Sequence, residues 1–260
     1  MNDFYVGYLP KAPSLLARFV RRVVGALTLL AVAVALLLLA GQGPFAKSTF
    51  EFGKLRVFDG VIEMGPYPAL LVERPGETSQ TDRYSRYLLV GPGKHGADGL
   101  VAGLEGRHVR LRGQLIYRSG GTMIEIEPGS IKTMDTAPGP ELPERELGTV
   151  TLEGEIVDSK CYLGVMNPGQ GKVHRDCAAR CLSGGIPPLF INSKTGEPLV
   201  LTDPEGRPFG RDALRGFVAE PTTVRGKLFE KGGIRQLRID FSSLQRALRA
   251  AATAHSAAAR

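Results

Sequence analysis

Cys161, Cys177 and Cys181 are the only cysteines in this chain of 260 residues, and one of its four histidines, His174, stands between them. The spacing is Cys-x12-His-x2-Cys-x3-Cys. A helix over residues 174–182 would bring positions 174, 177 and 181 onto one stripe, at about 100° per residue. Cys161 would then face that stripe from the loop after a strand. Three thiolates and one imidazole form a tetrahedral ligand set for a soft or borderline metal. Cys161, His174, Cys177 and Cys181 are therefore the candidate metal ligands, and the set admits zinc, copper or an iron–sulfur centre. The haem attachment pattern Cys-x-x-Cys-His is absent.

Two other chemistries stay open at the same residues. In an oxidising compartment Cys161 could pair with Cys177 or Cys181 in a disulfide, which would leave one thiol over. His174 beside Cys177, or Asp158 beside Cys161, could instead tune a reactive thiolate. The neighbours have plainer expected roles. Asp158 should cap or turn the chain after its strand, and Asp176 should sit in the first turn of the helix, where a carboxylate suits the dipole. Lys160 and Arg180 are expected to be solvated. His95 and His108 lie near glycine-rich turns in the other half, with no chemical role expected.

The elements that must position these residues come in two similar sets. Residues 109–127 resemble residues 223–240: each reads as an alternating strand, a Gly-Gly turn (Gly120 and Gly121; Gly232 and Gly233) and a second strand. Residues 55–63 and 150–158 open the two halves as similar strands, each with an internal glycine. Further strands are expected at 86–90, 189–192 and 199–202. Short strands, a glycine in the opening strand and a closing hairpin suit a small OB-like barrel. The fold class is thus mainly β: one N-terminal transmembrane helix, then two small OB-like β-barrel domains, the second carrying a short Cys/His-bearing helix. The domains are placed at 48–133 and 148–245. Between them, residues 134–147 hold three prolines and four acids and read as an extended linker. Residues 246–260 form an Ala-rich tail.

Ahead of the barrels, residues 23–40 (VVGALTLLAVAVALLLLA) carry no charge. About twenty helical residues span roughly 30 Å, the hydrocarbon thickness of a bilayer. Residues 23–41 are expected to be a membrane anchor. Arg18, Arg21 and Arg22 precede it, so the positive-inside rule keeps the leader, residues 1–22, in the cytoplasm and sends the rest across. A cleaved signal peptide is disfavoured because the leader is long and Pro44, Phe45 and Ala46 make a poor cleavage site. Phe4, Tyr5 and Tyr8 suit the headgroup region, or a neighbouring membrane subunit.

The second half, about residues 148–242, resembles a group of small exported bacterial proteins with an OB-like barrel. Their pattern Val-Asp-x-x-Cys-Tyr, His-x-x-Cys-Ala-x-x-Cys and Gly-x-Pro is matched here by Val157, Asp158, Cys161, Tyr162, His174, Cys177, Ala178, Cys181, Gly185 and Pro187. The resemblance implies fold and export, and no activity. The first half departs from it: the position equivalent to Cys161 falls near residues 64–67, which hold no cysteine.

The formal charge is +7, of which residues 1–46 supply four cations against Asp3, leaving +4 on the rest. So mild a balance, on an exported chain, argues against a nucleic-acid partner. Ser-His-Asp, phosphate-loop and zinc-hydrolase patterns are absent, and the turn from Gly91 to Gly96 does not match a phosphate loop. Catalysis is therefore not expected. The sequence points to a single-pass protein of the bacterial inner membrane with its bulk in the periplasm. Its expected role is an accessory subunit beside other membrane-complex subunits, associated with electron transfer. The alternative is a disulfide-stapled structural or assembly module.

Overall fold

The computed structural model describes residues 12–41, 48–76, 83–118, 120–134 and 139–244. Helix α1 covers Ser14–Gly41. It begins before the expected anchor because nothing between Pro13 and residue 23 breaks a helix, and proline is well tolerated at a helix start. Its 28 residues reach about 42 Å, so the turn bearing Arg18, Arg21 and Arg22 can extend past a hydrocarbon layer of roughly 30 Å. The leucines and valines of α1 are exposed on every side, as suits a helix whose solvent is lipid. It is long and apolar enough to cross a membrane, and it also has the character of a signal sequence. The aromatic leader residues, the segment around Pro44 and the Ala-rich tail lie outside the described residues.

From residue 48 on, the described residues form one compact unit containing two barrels. The first uses β2 (Arg56–Glu63), β3 (Ala69–Glu73), β4 (Tyr84–Val90), β5 (His108–Arg118) and β6 (Gly121–Ile126), with β1 (Ser48–Phe50) and β7 (Lys132–Thr133) added along β5. The second uses β8 (Glu144–Asp158), β9 (Pro188–Asn192), β10 (Pro198–Thr202), β11 (Thr222–Lys231) and β12 (Ile234–Ile239). The two rings share one pairing scheme. The opening strand pairs antiparallel with the second and fourth strands, and the third strand pairs parallel with the fifth. The fourth and fifth form the Gly-Gly hairpin. This is a five-stranded OB-type barrel built twice. The strand Ala69–Glu73 carries too little alternation to stand out in the sequence, because Ala69, Leu70 and Leu71 are all buried.

Alternation explains the hairpins: along β5, Val109 and Leu111 are fully buried while Arg110 and Arg112 face out, and Ile116, on the opposite face, is buried in the cluster shared with the second barrel. Each barrel has its own apolar centre, around Leu89, Leu111 and Ile124 in the first and Phe190, Leu201 and Leu237 in the second. A third apolar cluster joins them, with Tyr67, Ile116 and Met123 from the first barrel against Cys161, Tyr162 and Ile186 from the second. The expected linker takes part in this packing. Its last four residues, 144–147, already belong to β8, and Leu142 is buried against Val61 and Leu71.

Because the third cluster belongs to both barrels, they should unfold together. Ile116→Ala is expected to cost about 2–5 kcal/mol, the range for truncating a buried isoleucine. Urea unfolding in detergent, followed by circular dichroism, should remain a single transition shifted to lower urea. Two separated transitions would show that the barrels are independent.

Candidate metal centre

Strand β8 ends at Asp158, and the chain then makes a π-type turn over Cys161–Val165 and a 3-10 turn over Lys172–His174 before helix α2, Arg175–Ser183. Asp158 joins these pieces. Its Oδ1 accepts the Cys161 backbone N–H at 2.8 Å, the capping role expected of it. Its Oδ2 accepts from His174 Nε2 at 2.9 Å. Both side chains are almost wholly buried, at 0% and 1% exposure. Strand end, cysteine turn and helix start are thereby tied through one carboxylate.

Helix α2 places Cys177 and Cys181 one turn apart on the same face, with Asp176 in its first turn and Arg180 exposed. Gly184 closes the helix, donating its N–H to the Arg180 and Cys181 carbonyls at 3.0 and 3.1 Å. The sulfurs of Cys161, Cys177 and Cys181 all lie within 4.8 Å of one another, and the three cysteines are free. Sulfurs bound to a common ion at about 2.3 Å stand roughly 4 Å apart, so the three thiols can hold a metal ion with little closure. Three of the four expected ligands are thus brought together. His174 is placed differently: it shares a second group, also able to hold a metal ion, with Asp158 and Cys161. The bond to Asp158 occupies its Nε2, and its Nδ1 is buried with no hydrogen-bond partner.

A residue from the other barrel completes the site. Lys94 Nζ donates to Cys177 Sγ at 2.8 Å and lies 3.5 Å from Cys181 Sγ. It rides on the turn from Gly91 to Gly96, which docks on the cysteine motif. Lys160 Nζ donates to the Gly91 and Gly93 carbonyls at 2.8 and 2.7 Å and pairs with the Glu125 carboxylate. Gly96 N–H bonds the Gly184 carbonyl at 3.0 Å. The approach is so close that a Cβ on Gly184 would lie 1.7 Å from the Lys94 carbonyl oxygen, and one on Gly96 2.2 Å from that of Gly185. Only glycine fits at these two points.

The thiols polarise one another. The Cys161 thiol donates toward Cys181, which holds the Cys181 thiol below the ordinary range; burial opposes this and Lys94 adds to it. Cys161 is pushed far up by the same bond and then by burial. Lys94 is raised, first by its bond to Cys177. The arrangement stabilises anionic sulfur beside a fixed cation.

No protein-family model, curated protein or solved structure matches this chain.

Two lysines make contacts that the sequence alone does not show. Lys160 is not solvated: it is 2% exposed, because the first barrel covers it and offers three oxygen acceptors. Lys94 is remote from the cysteine motif in the chain, 83 residues from Cys177. The available signal was Gly91, Gly93 and Gly96 flanking a lysine, a turn built for close approach.

In reduced protein the thiolate absorbance near 240 nm should show one thiol ionising below the usual range of about 8.5. Cys161→Ala should raise that midpoint most and Lys94→Ala should also raise it, in the order of the two causes. An unchanged midpoint in both variants would refute this account. Lys160→Met leaves the Glu125 carboxylate facing a buried site without its cation. It is expected to cost about 3–5 kcal/mol in urea unfolding, as breaking a buried pair does, whereas a cost under about 1 kcal/mol would match an exposed pair.

Proposed function

We propose that this chain is a single-span protein of the bacterial inner membrane whose barrels lie in the periplasm and whose second barrel holds one metal ion on Cys161, Cys177 and Cys181. In this reading it serves as an accessory subunit of a respiratory or metalloenzyme complex, beside electron transfer, with no substrate turnover of its own. The observation that carries the metal reading is the convergence of three free thiols within 4.8 Å under a lysine brought from the other barrel. A purely apolar packing role would need neither the third sulfur nor the cation. Arg18, Arg21 and Arg22 ahead of the apolar run support the orientation. The resemblance of residues 148–242 to exported OB-like proteins supports the compartment. Three cysteines fall short of the four thiolates that iron–sulfur clusters ordinarily take, which leaves zinc and copper as the better fits.

One observation favours a second reading. The Cys161 and Cys181 sulfurs lie within 4.8 Å of each other and both are free, so an oxidising compartment could join them. Such a disulfide would close a loop contributing roughly 3 kcal/mol in the chain-entropy model, and the module would then be structural.

Elemental analysis and a thiol count on native protein, purified anaerobically in detergent, separate the two. The metal reading expects about one ion per chain, lost in Cys177→Ser, with three thiols titratable after chelation. No metal and a single free thiol would overturn it in favour of the disulfide module.

A further inference from the structure

The three thiols offer three corners to an ion, and the identity of the fourth neighbour decides which ion suits them. Zinc in structural sites is almost always tetrahedral and four-coordinate. His174 and Asp158, the nitrogen and oxygen donors beside Cys161, group with that thiol and not with all three sulfurs. The two are bonded to each other at 2.9 Å. The neighbour that does stand over the sulfurs is Lys94, at 2.8 and 3.5 Å from two of them. An ammonium has three donors and no lone pair to give.

The backbone that carries Lys94 is held in place. Its turn is fixed by both carbonyl bonds from the buried Lys160 and by the Gly96–Gly184 contact. The cation is a built part of the site, contributed by the barrel that has no cysteine of its own.

Resting on the metal reading above, we infer that Lys94 closes the fourth coordination position and makes this a three-coordinate site for a soft monovalent ion, copper(I), in preference to zinc. Copper(I) is a closed-shell ion that thiolates select, and three sulfurs satisfy it without a further ligand. Charge points the same way. Three thiolates around a monovalent ion leave two excess negative charges, against one around zinc. An excess charge in a partly buried site is costly, so the fixed cation offsets more for copper(I). Binding forms sulfur–metal bonds, and the thiol protons leave to solvent; no electron is transferred.

The test uses the full chain in detergent, reduced and anaerobic, with copper(I) and zinc each titrated against a competing chelator. X-ray absorption would count the ligands of each ion. Wild-type copper(I) is expected to show three sulfur neighbours and no nitrogen or oxygen. Lys94→Ala opens the position to water: the zinc-to-copper(I) affinity ratio should rise about tenfold or more, and bound zinc should gain an oxygen neighbour. Lys94→Leu removes the same charge but keeps the position filled, so zinc should gain much less. An unchanged ratio in Lys94→Ala, an equal gain in Lys94→Leu, or four-coordinate copper(I) in the wild type would each overturn the inference. Should the wild type take neither ion, the metal reading itself falls, a result distinct from metal bound with selectivity indifferent to Lys94.

Discussion

The contact on which the rest depends is the buried ammonium of Lys160. Desolvating a charge costs several kcal/mol unless it is paired and hydrogen-bonded. Here the cost is offset by two backbone carbonyls, of Gly91 and Gly93, and by the Glu125 carboxylate. All three acceptors belong to the first barrel, while Lys160 sits between Asp158 and Cys161 in the second. The barrels cannot separate without stranding this charge, and they cannot slide without breaking the two carbonyl bonds. Apolar packing around Ile116 and Met123 supplies attraction between the barrels, but that packing is non-directional. The lysine supplies the register.

Register matters because the thiol site is made by both barrels. Residue types alone would give the second barrel a pocket of three sulfurs. Docking adds Lys94, and with it a positive charge held against Cys177 and Cys181. Asp158 plays the matching part inside the second barrel. By taking the Cys161 N–H on one oxygen and His174 on the other, it fixes the cysteine turn relative to the helix that carries the other two sulfurs. The imidazole is thereby a brace for the carboxylate in this geometry, and its remaining nitrogen stays buried without a hydrogen-bond partner.

Much of this was legible in the sequence. The Gly-Gly hairpins gave the fourth and fifth strands of each barrel, because alternation along β5 and β11 is strong and local. The cysteine spacing gave α2, since one helical turn separates Cys177 from Cys181. What could not be read is what depends on contacts distant in sequence. Periodicity puts His174 on the stripe with Cys177 and Cys181, but nothing local reveals that the strand-end carboxylate captures it first. A lysine beside a cysteine reads as solvated until a second barrel is known to cover it. Residues 134–147 have a linker's composition, yet Leu142 and the start of β8 belong to the packed unit.

The internal repeat explains why a barrel without cysteines belongs beside one with them. In both barrels the segment after the opening strand points into the shared cluster: Tyr67 in the first, Cys161 and Tyr162 in the second. Tyr67 donates its hydroxyl to the Leu201 carbonyl at 3.0 Å, and Arg118 lies over the Tyr162 ring while donating to its carbonyl at 3.1 Å. The same topological position therefore does two jobs. In one copy it is a plug that seals the junction. In the other it is a turn that presents sulfur to that junction. Two OB-type barrels packed in this way bury the sulfur side of the second without a lid, leaving Cys177 half-buried beside the lysine. The first barrel's contribution is thus an apolar wall around Ile116 and Met123 and the cation of Lys94, the latter carried on a turn whose glycines let the two backbones meet.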